Sequence, residues 1–340
     1  MGRHPHPIRE IARQAGVSEA TVDRVLHERG GVRQSTVHEV RQAVADLDRQ
    51  RTQVRLHGRT FLLDVVMQAP ERFTSAVRAA LEAELPSLRP AVLRSRFHLR
   101  ETGTVEEIAA MLDGIRRRGS QGVLLKAPDV PEVVEAVQRL VRARVPVVTL
   151  VTDLPASGRL AYVGIDNRAA GATAAYLLGQ WLGREPGDVL VTLSRSFFRG
   201  EEEREIGFRG AMRARHPDRR LVEITETDGL DATMRDLVLA ALDAHPGVRA
   251  VYSIGGGNVA TLEAFDARGR ECAAFVAHDL DGDNTRLLRQ GRVSAVLHHD
   301  LGQDMRRACQ AIMRAHKALP GGVYPWPSNV QVVTPYNLPL

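Results

Sequence analysis

Few of the residues able to do chemistry in this 340-residue chain have the spacing that chemistry demands. Gly255-Gly256-Gly257-Asn258 follows an apolar run, as phosphate-cradling loops do, yet it lacks the third glycine of a GxGxxG turn and the lysine of a P-loop. His298 and His299 are adjacent, without the spacing that puts two imidazoles on one metal ion, and are read as one ligand-facing and one packing residue. The two cysteines, Cys272 and Cys309, each stand without a CxxC partner, which fits a reducing cytoplasm and offers no zinc site. There is no GxSxG turn or other nucleophile–base constellation. An enzyme therefore has no support from the residues, and no cofactor is called for. The chemistry that remains is recognition through hydrogen bonds and charge.

One recognition surface is legible near the N-terminus. Glu19, Ala20, Asp23 and Arg24 share the outer face of a short helix whose inner face is Val22, Val25 and Leu26. Before it, Ile8, Ile11, Ala12 and Ala15 recur at helical spacing, and Gly16-Val17-Ser18 supplies a tight turn and a capping hydroxyl. Past Gly30-Gly31, a third helix opens at Gln34-Ser35-Thr36 and carries Val37, Val40, Val44 and Leu47 inward. This is a helix-turn-helix pattern, although a generic three-helix bundle would show the same periodicity. Charge separates the segment from the rest of the chain. Of the net +5, residues 1–60 hold +4, with 11 arginines and no lysine against 7 acidic residues, and the remaining 280 residues hold +1.

From residue 61 onward, apolar runs alternate with helical periodicity. Strands are expected at 61–67, 92–97, 122–126, 145–151, 161–165, 189–193, 221–225, 250–254, 273–277, 293–297 and 330–334. Helices are expected at 75–85, 105–118, 130–142, 169–182, 202–215, 232–244, 259–268 and 302–319. Repeated βα units mean α/β architecture with parallel sheets, and the strands are too many for one sheet, so they split near Asp166 into two lobes. Composition is ordinary for a globular protein, at 44% hydrophobic and 26% charged. The longest apolar run, 145–151, is far short of the ~18 residues of a membrane span, and the basic N-terminus leads into no apolar signal core. A cytoplasmic protein with no membrane partner is expected.

Ile8-Arg9-Glu10-Ile11-Ala12, Ala15-Gly16-Val17-Ser18, Thr21-Val22 and Arg24-Val25-Leu26, followed by Val32, Thr36, Val40 and Leu47, resemble the headpiece of the lactose-repressor (LacI) family of bacterial transcription regulators. There the second helix enters the major groove. The resemblance implies base reading by Glu19, Ala20, Asp23 and Arg24. Arg24 would fork onto a guanine, Glu19 or Asp23 would accept from a cytosine amino group, and Ala20 would touch a thymine methyl. Ser18, Thr21, Arg33 and Thr36 would hold phosphates. Two acidic groups on this face depart from the family's more usual neutral residues, and the alternative for them is a salt bridge that orients Arg24. The linker departs as well, having no Tyr-x-Pro-Asn. Leu56 is the one candidate for a minor-groove wedge, while Arg49, Arg51, Arg55 and Arg59 suit phosphate contacts.

Val147-Val148-Thr149-Leu150, Val163-Gly164-Ile165-Asp166-Asn167-Arg168-Ala169-Ala170-Gly171, Phe275-Val276-Ala277-His278-Asp279-Leu280 and Val296-Leu297-His298-His299-Asp300 resemble the periplasmic sugar-binding-protein fold that forms the effector domain of the same family. The resemblance spans essentially the whole chain. It implies a headpiece at 1–50, a linker or hinge at 51–60 and an effector domain at 61–340. Lobe 1 would be 61–165 with 300–320, and lobe 2 166–298 with 328–340. The chain would cross between lobes near Asp166-Asn167, near His299-Asp300 and within 319–328. A ligand in such sheets sits beyond the carboxyl ends of the strands. Those ends offer Phe73, Thr74, Lys126, Asp129, Thr152, Asp153, Ser194, Asn258, Asp279 and His299. Sugar-binding members use an Asn at Asn258, an Asp at Asp279 and a polar side chain at His299. At their usual arginine position stands Glu202, so either Arg204 substitutes from the next turn or the effector is not a standard sugar. Asp129 and Asp153 stay open between ligand contact and helix cap. Phe197, Phe198 and Trp326 stay open between stacking on a sugar and packing the lobes.

Three classes compete: an effector-controlled regulator, a transport solute-binding protein and an enzyme. Transport requires an export signal and no headpiece, so it fails on residues 1–60. The reading is a LacI-type sequence-specific regulator, a repressor in the simplest case. A homodimer would bind double-stranded operator DNA under control of a sugar-like effector; the alternative on the same fold is a solute sensor without a DNA role. Residues 335–340 form no heptad tail, so a dimer is expected rather than a tail-driven tetramer.

Overall fold

The computed structural model describes the backbone of residues 6–56, 60–89, 91–194, 198–227, 230–324 and 327–338, and their side chains except at 49–56, 226, 227 and 232. The chain divides into two compact units, Met1–Thr60 with Arg89–Val92, and Phe61–Leu88 with Leu93–Leu340.

In the first unit, α1 (Ile8–Ala15), α2 (Glu19–Leu26) and α3 (Gln34–Leu56) close over Ile11, Ala12, Val22, Val40, Ala43 and Leu47. Gly16 ends α1 in the left-handed conformation (φ 67°), which a side chain would strain. Ser18 then caps α2, its hydroxyl accepting the Thr21 N–H at 3.2 Å. α3 continues unbroken through residues 51–56, the first part of the stretch expected as the linker. Nothing between Asp46 and Leu56 is Gly or Pro, so the sequence contains no signal to stop the helix there.

The second unit holds two sheets. The first lobe runs β1 (Thr60–Gln68), α4 (Glu71–Glu84), β2 (Val92–Arg100), α5 (Val105–Arg118), β3 (Gly122–Lys126), α6 (Pro131–Arg142), β4 (Val147–Leu150) and β5 (Ala161–Val163). The second runs α7 (Asn167–Leu182), β6 (Asp188–Ser194), α8 (Arg199–Arg215), β7 (Leu221–Thr227), α9 (Asp231–Ala244), β8 (Val248–Ser253), α10 (Asn258–Ala267), β9 (Ala274–His278), α11 (Gly282–Arg289) and β10 (Ala295–His298). α12 (Leu301–Ala315) returns to the first lobe, where Arg306 pairs with Glu84 at 2.7 Å and Ile312 fills the space above Gly122. β11 (Gln331–Val333) adds to the second sheet, antiparallel to β10. Helices on both faces bury the strands completely, as at β3 and β9, which explains their unbroken apolar runs.

Strand order is β2-β1-β3-β4-β5 in one sheet and β7-β6-β8-β9-β10, with β11 at the edge, in the other. Counted within each lobe, both sheets follow the order 2-1-3-4-5. Each reverses direction of winding beside its first strand, between β1 and β3 and between β6 and β8, and such points open the crevices where ligands bind. The crossings meet side by side: Ile165 and Ser328 form a parallel bridge, and the Ser328 N–H donates to the Gly164 carbonyl at 2.8 Å.

Candidate ligand cleft and nucleic-acid face

The two crevices open onto one cleft between the lobes. The first lobe contributes Arg72 and Phe73 from the start of α4, Lys126 from the end of β3, and Val151 and Thr152 after β4. The second contributes Glu201 and Arg204 from α8, Asn258 at the start of α10, and His278, Asp279, Asp281 and Asn284 around the end of β9. Arg204 is placed by an unusually close helix pair. A Cβ on Gly171 of α7 would lie 1.9 Å from the Arg204 carbonyl oxygen, and one on Gly207 of α8 would lie 2.1 Å from the Arg168 carbonyl oxygen. Only glycine allows α7 and α8 to touch backbone to backbone. Arg204 Nε donates to Asn167 Oδ1 at 2.8 Å, and Asn167 Nδ2 donates to the Val151 carbonyl and the Tyr162 hydroxyl, both at 3.1 Å. Val151 itself has φ 66°, and the Thr152 N–H reaches back to the Leu150 carbonyl at 2.6 Å. A β-branched residue in that conformation is strained, and the strain sits on the cleft wall.

The charges in the cleft are unevenly neutralised. Asp281 accepts the Asn284 N–H at 2.8 Å on one oxygen and Arg72 Nε at 2.9 Å on the other, across the mouth of the cleft. Glu201 accepts both the N–H and the hydroxyl of Ser194, at 3.0 and 2.7 Å, while burial pushes its pKa up. Lys126 Nζ donates to the Gln68 carbonyl at 3.1 Å and lies 3.8 Å from the centre of the Phe198 ring, and burial brings its pKa down to about 8. Asn258 Nδ2 donates to Asn284 Oδ1 at 2.7 Å, leaving Asn258 Oδ1 without a hydrogen-bond partner among the described residues; the same holds for Arg204 Nη2, His278 Nδ1 and Asp279 Oδ1.

Of the expected ligand residues, the structure brings Phe73, Lys126, Thr152, Arg204, Asn258 and Asp279 to the cleft and takes four elsewhere. The Thr74 hydroxyl turns back onto the Glu71 carbonyl at 3.1 Å, and Thr74 lines a separate surface depression. Asp153 is held by the Thr149 hydroxyl, the Leu154 N–H and the Arg159 guanidinium, outside the cleft. Ser194 serves Glu201. His299 is fully buried behind the cleft, with Nε2 3.6 Å from Asp279 and Nδ1 on Asp304, whose other oxygen takes the Ser328 hydroxyl. Burial alone would lower the His299 pKa, but Asp279 and Asp304 outweigh it and raise it to about 9. Asp129 lies 3.6 Å from Arg199, and Phe198 packs on Lys126. Phe197 and Trp326 lie outside the described residues. Sequence reasoning missed Arg72, Glu201, His278, Asp281 and Asn284. A signal existed for Asp281 and Asn284 in the cap-like Asp281-Gly282-Asp283-Asn284, which opens the unexpected helix α11.

In the headpiece, Glu19, Ala20 and Arg24 are exposed on α2, and the Arg24 side chain makes no ion pair or hydrogen bond among the described residues. The carboxylate of Asp23 goes to His27 at 3.0 Å and Arg29 at 2.9 Å, so it does not orient Arg24. Ser18 caps α2 and its hydroxyl meets that of Thr21 at 2.8 Å. Arg33 is exposed and Thr36 half-buried at the start of α3. The side chains of Arg49, Arg51, Arg55 and Leu56, and the whole of Arg59, lie outside the described residues.

The fold and cleft define a two-lobed ligand-binding domain on a chain that begins with a helix-turn-helix unit. Residues 65–318 match the periplasmic binding protein domain and residues 7–50 the bacterial regulatory proteins of the lacI family, so the chain belongs to the LacI family, with a periplasmic-binding-protein-like domain. Similar solved structures include GanP, a glucose-galactose binding protein from Geobacillus stearothermophilus (20% identity, 83% of this chain and 99% of that one, TM-score 0.72). A solute-binding protein from Burkholderia graminis in complex with D-arabinose is also similar (19%, 83% and 97%, 0.72). So is a Bacteroides fragilis protein assigned to the LacI transcriptional regulators (16%, 82% and 98%, 0.70). A comparison with curated protein sequences returns no match.

Proposed function

We propose that this protein is a sequence-specific transcriptional regulator whose operator affinity is set by a sugar or sugar-like molecule bound between its lobes. One observation carries the reading. A helix-turn-helix with exposed Glu19, Ala20 and Arg24 shares its chain with a cleft in which buried polar atoms of Arg204, Asn258, His278 and Asp279 have no partner among the described residues. Such atoms cost free energy that a hydroxyl-rich ligand recovers by bonding to them. The sugars named for GanP and for the Burkholderia protein support the ligand class.

The regulator acts in the cytoplasm as a homodimer whose two headpieces bind a pseudo-palindromic operator, repressing in the simplest case. Its task is binding rather than catalysis. Contacts such as Arg72–Asp281 and the Gly200 N–H to the Thr152 hydroxyl (3.0 Å) join the lobes across the cleft, and opening it would break them. A ligand that favours closure shifts operator affinity by its differential affinity for the closed and open forms. The test is a gel shift on the gene's own upstream DNA, with a thermal-shift screen of sugars and polyols. Arg24→Ala is expected to lose the shift and Asp279→Ala to lose stabilisation by the hit. Undiminished DNA binding by Arg24→Ala, or undiminished stabilisation of Asp279→Ala, would overturn the corresponding half of the proposal.

A further inference from the structure

We infer that the ligand of this cleft carries an anionic group, a carboxylate or a phosphate, seated between Lys126 of the first lobe and Arg204 of the second. The inference rests on the reading of the cleft as a site for a sugar-like molecule and narrows that class to sugar acids and sugar phosphates.

Each carboxylate on the cleft has a cation or donor of its own: Asp281 has Arg72 and the Asn284 N–H, Glu201 has both donors of Ser194, and Asp279 stands 3.6 Å from His299 Nε2, though its Oδ1 accepts no hydrogen bond among the described residues. The two innermost cations have no carboxylate as near. Among the described residues neither Lys126 nor Arg204 lies within ion-pair distance of a carboxylate, although Lys126 is only 9% and Arg204 only 3% exposed. Lys126 has one carbonyl and a ring face for three N–H donors, and Arg204 Nη2 has no acceptor among the described residues.

Their mutual repulsion sharpens the point, because the positive charge of Arg204 disfavours the charged form of Lys126. Glu201 and Asp279 both attract the two cations, but burial favours the neutral acid of Glu201, and Asp279, which stays ionised, is shared with the His299 imidazole. Buried like charges with no carboxylate at ion-pair distance among the described residues are an arrangement that an arriving anion relieves, and charge-assisted hydrogen bonds to it are the strong ones. The acceptors left over, Asn258 Oδ1 and His278 Nδ1, suit the hydroxyls of a polyol attached to that anion. Because Lys126 and Arg204 stand on different lobes, the anion is also the part of the ligand that bridges the closed cleft.

The test is calorimetric titration of the full-length protein with matched pairs: D-galactose and D-galacturonate, D-glucose and D-gluconate, and D-glucose and D-glucose 6-phosphate. At least one acid is expected to bind more than about tenfold tighter than its neutral partner, the carboxylate and phosphate arms separating the two anions. Lys126→Gln is expected to lower affinity for that acid far more than for the neutral sugar. If neutral sugars bind as well as or better than their acids, the inference is overturned and the sugar reading stands. If no member of any pair binds, the sugar reading falls and this inference with it. An unchanged acid preference in Lys126→Gln overturns the assignment to that residue. The wild-type comparison decides the main question even if the variant does not fold.

Discussion

Arg72 at the start of α4 and Asp281 at the start of α11 meet across the mouth of the cleft, Nε to Oδ2 at 2.9 Å, so two residues on separate lobes form an ion pair that ties the lobes together. Asp281 is the more buried partner and also caps α11. Arg72→Ala should therefore leave a buried carboxylate uncompensated in the closed form alone, a penalty of about 1–3 kcal/mol. The expected result is ligand affinity lower by roughly tenfold or more, with a more open envelope in small-angle X-ray scattering. Unchanged affinity and envelope would mean that the pair contributes nothing to closure.

His299 gives a signed pH dependence. Its folded pKa of about 9 exceeds the ordinary 6.5, so its contribution is fully present below pH 6.5 and is lost as pH rises through 9. Lys126, lowered from 10.5 to about 8, acts oppositely above pH 8, where loss of its buried charge restores stability. Below pH 6.5, the depressed pKa values of His278 and His298 make stability rise with pH, whereas the raised pKa values of Glu201 and Asp281 oppose that trend. Unfolding free energy should fall by about 2 kcal/mol between pH 6.5 and 8 and then level off. Chemical denaturation across this range, repeated on His299→Gln, checks it. A fall that persists in the variant would assign the titration to another group.

Arg24 is free on the outer face of α2, whereas Asp23 is engaged by His27 and Arg29. Arg24→Ala should cost about 1–3 kcal/mol of operator binding and relax discrimination at one base pair. Asp23→Ala should change sequence preference less and act chiefly by releasing Arg29. Fluorescence anisotropy on an operator carrying single base-pair changes separates these outcomes. Equal losses on all sequences would make Arg24 a phosphate contact.

Two glycines of α8 should respond in opposite ways. Gly207→Ala drives a methyl against the Arg168 carbonyl and should destabilise the protein by several kcal/mol, about 3 or more, or displace Arg204 with loss of ligand affinity. Gly210→Ala meets nothing within 4 Å and should be neutral or stabilising by up to about 1 kcal/mol. Similar melting temperatures for the two variants would show that α7 and α8 can separate without cost.

The elements were legible where local pattern and burial agree. Gly122–Lys126 and Val105–Arg118 occupy the expected residues, the latter fixed by the Thr104–Glu107 capping box. α11 escaped because Leu287-Leu288 are its only two large apolar residues in eight, which leaves no helical period to read. The continuation of α3 to Leu56 escaped because family pattern was weighed above the absence of a helix breaker. At the site, strand-end position brought Lys126, Asn258 and Asp279 to the cleft. It could not reveal that Arg159 claims Asp153, or that the chain turns at His299 into the crossing, because both depend on distances set by tertiary packing.

The repeated strand order has a practical meaning for anyone wishing to retune this sensor. Each lobe presents the equivalent seam of its own sheet, so the recognition shell comes in two halves carried on separately packed cores. The cores beneath the two halves are separate, but Arg72 with Asp281 and Lys126 with Phe198 join the halves across the cleft. Selection for a new ligand should therefore vary these facing residues together, leaving each core untouched.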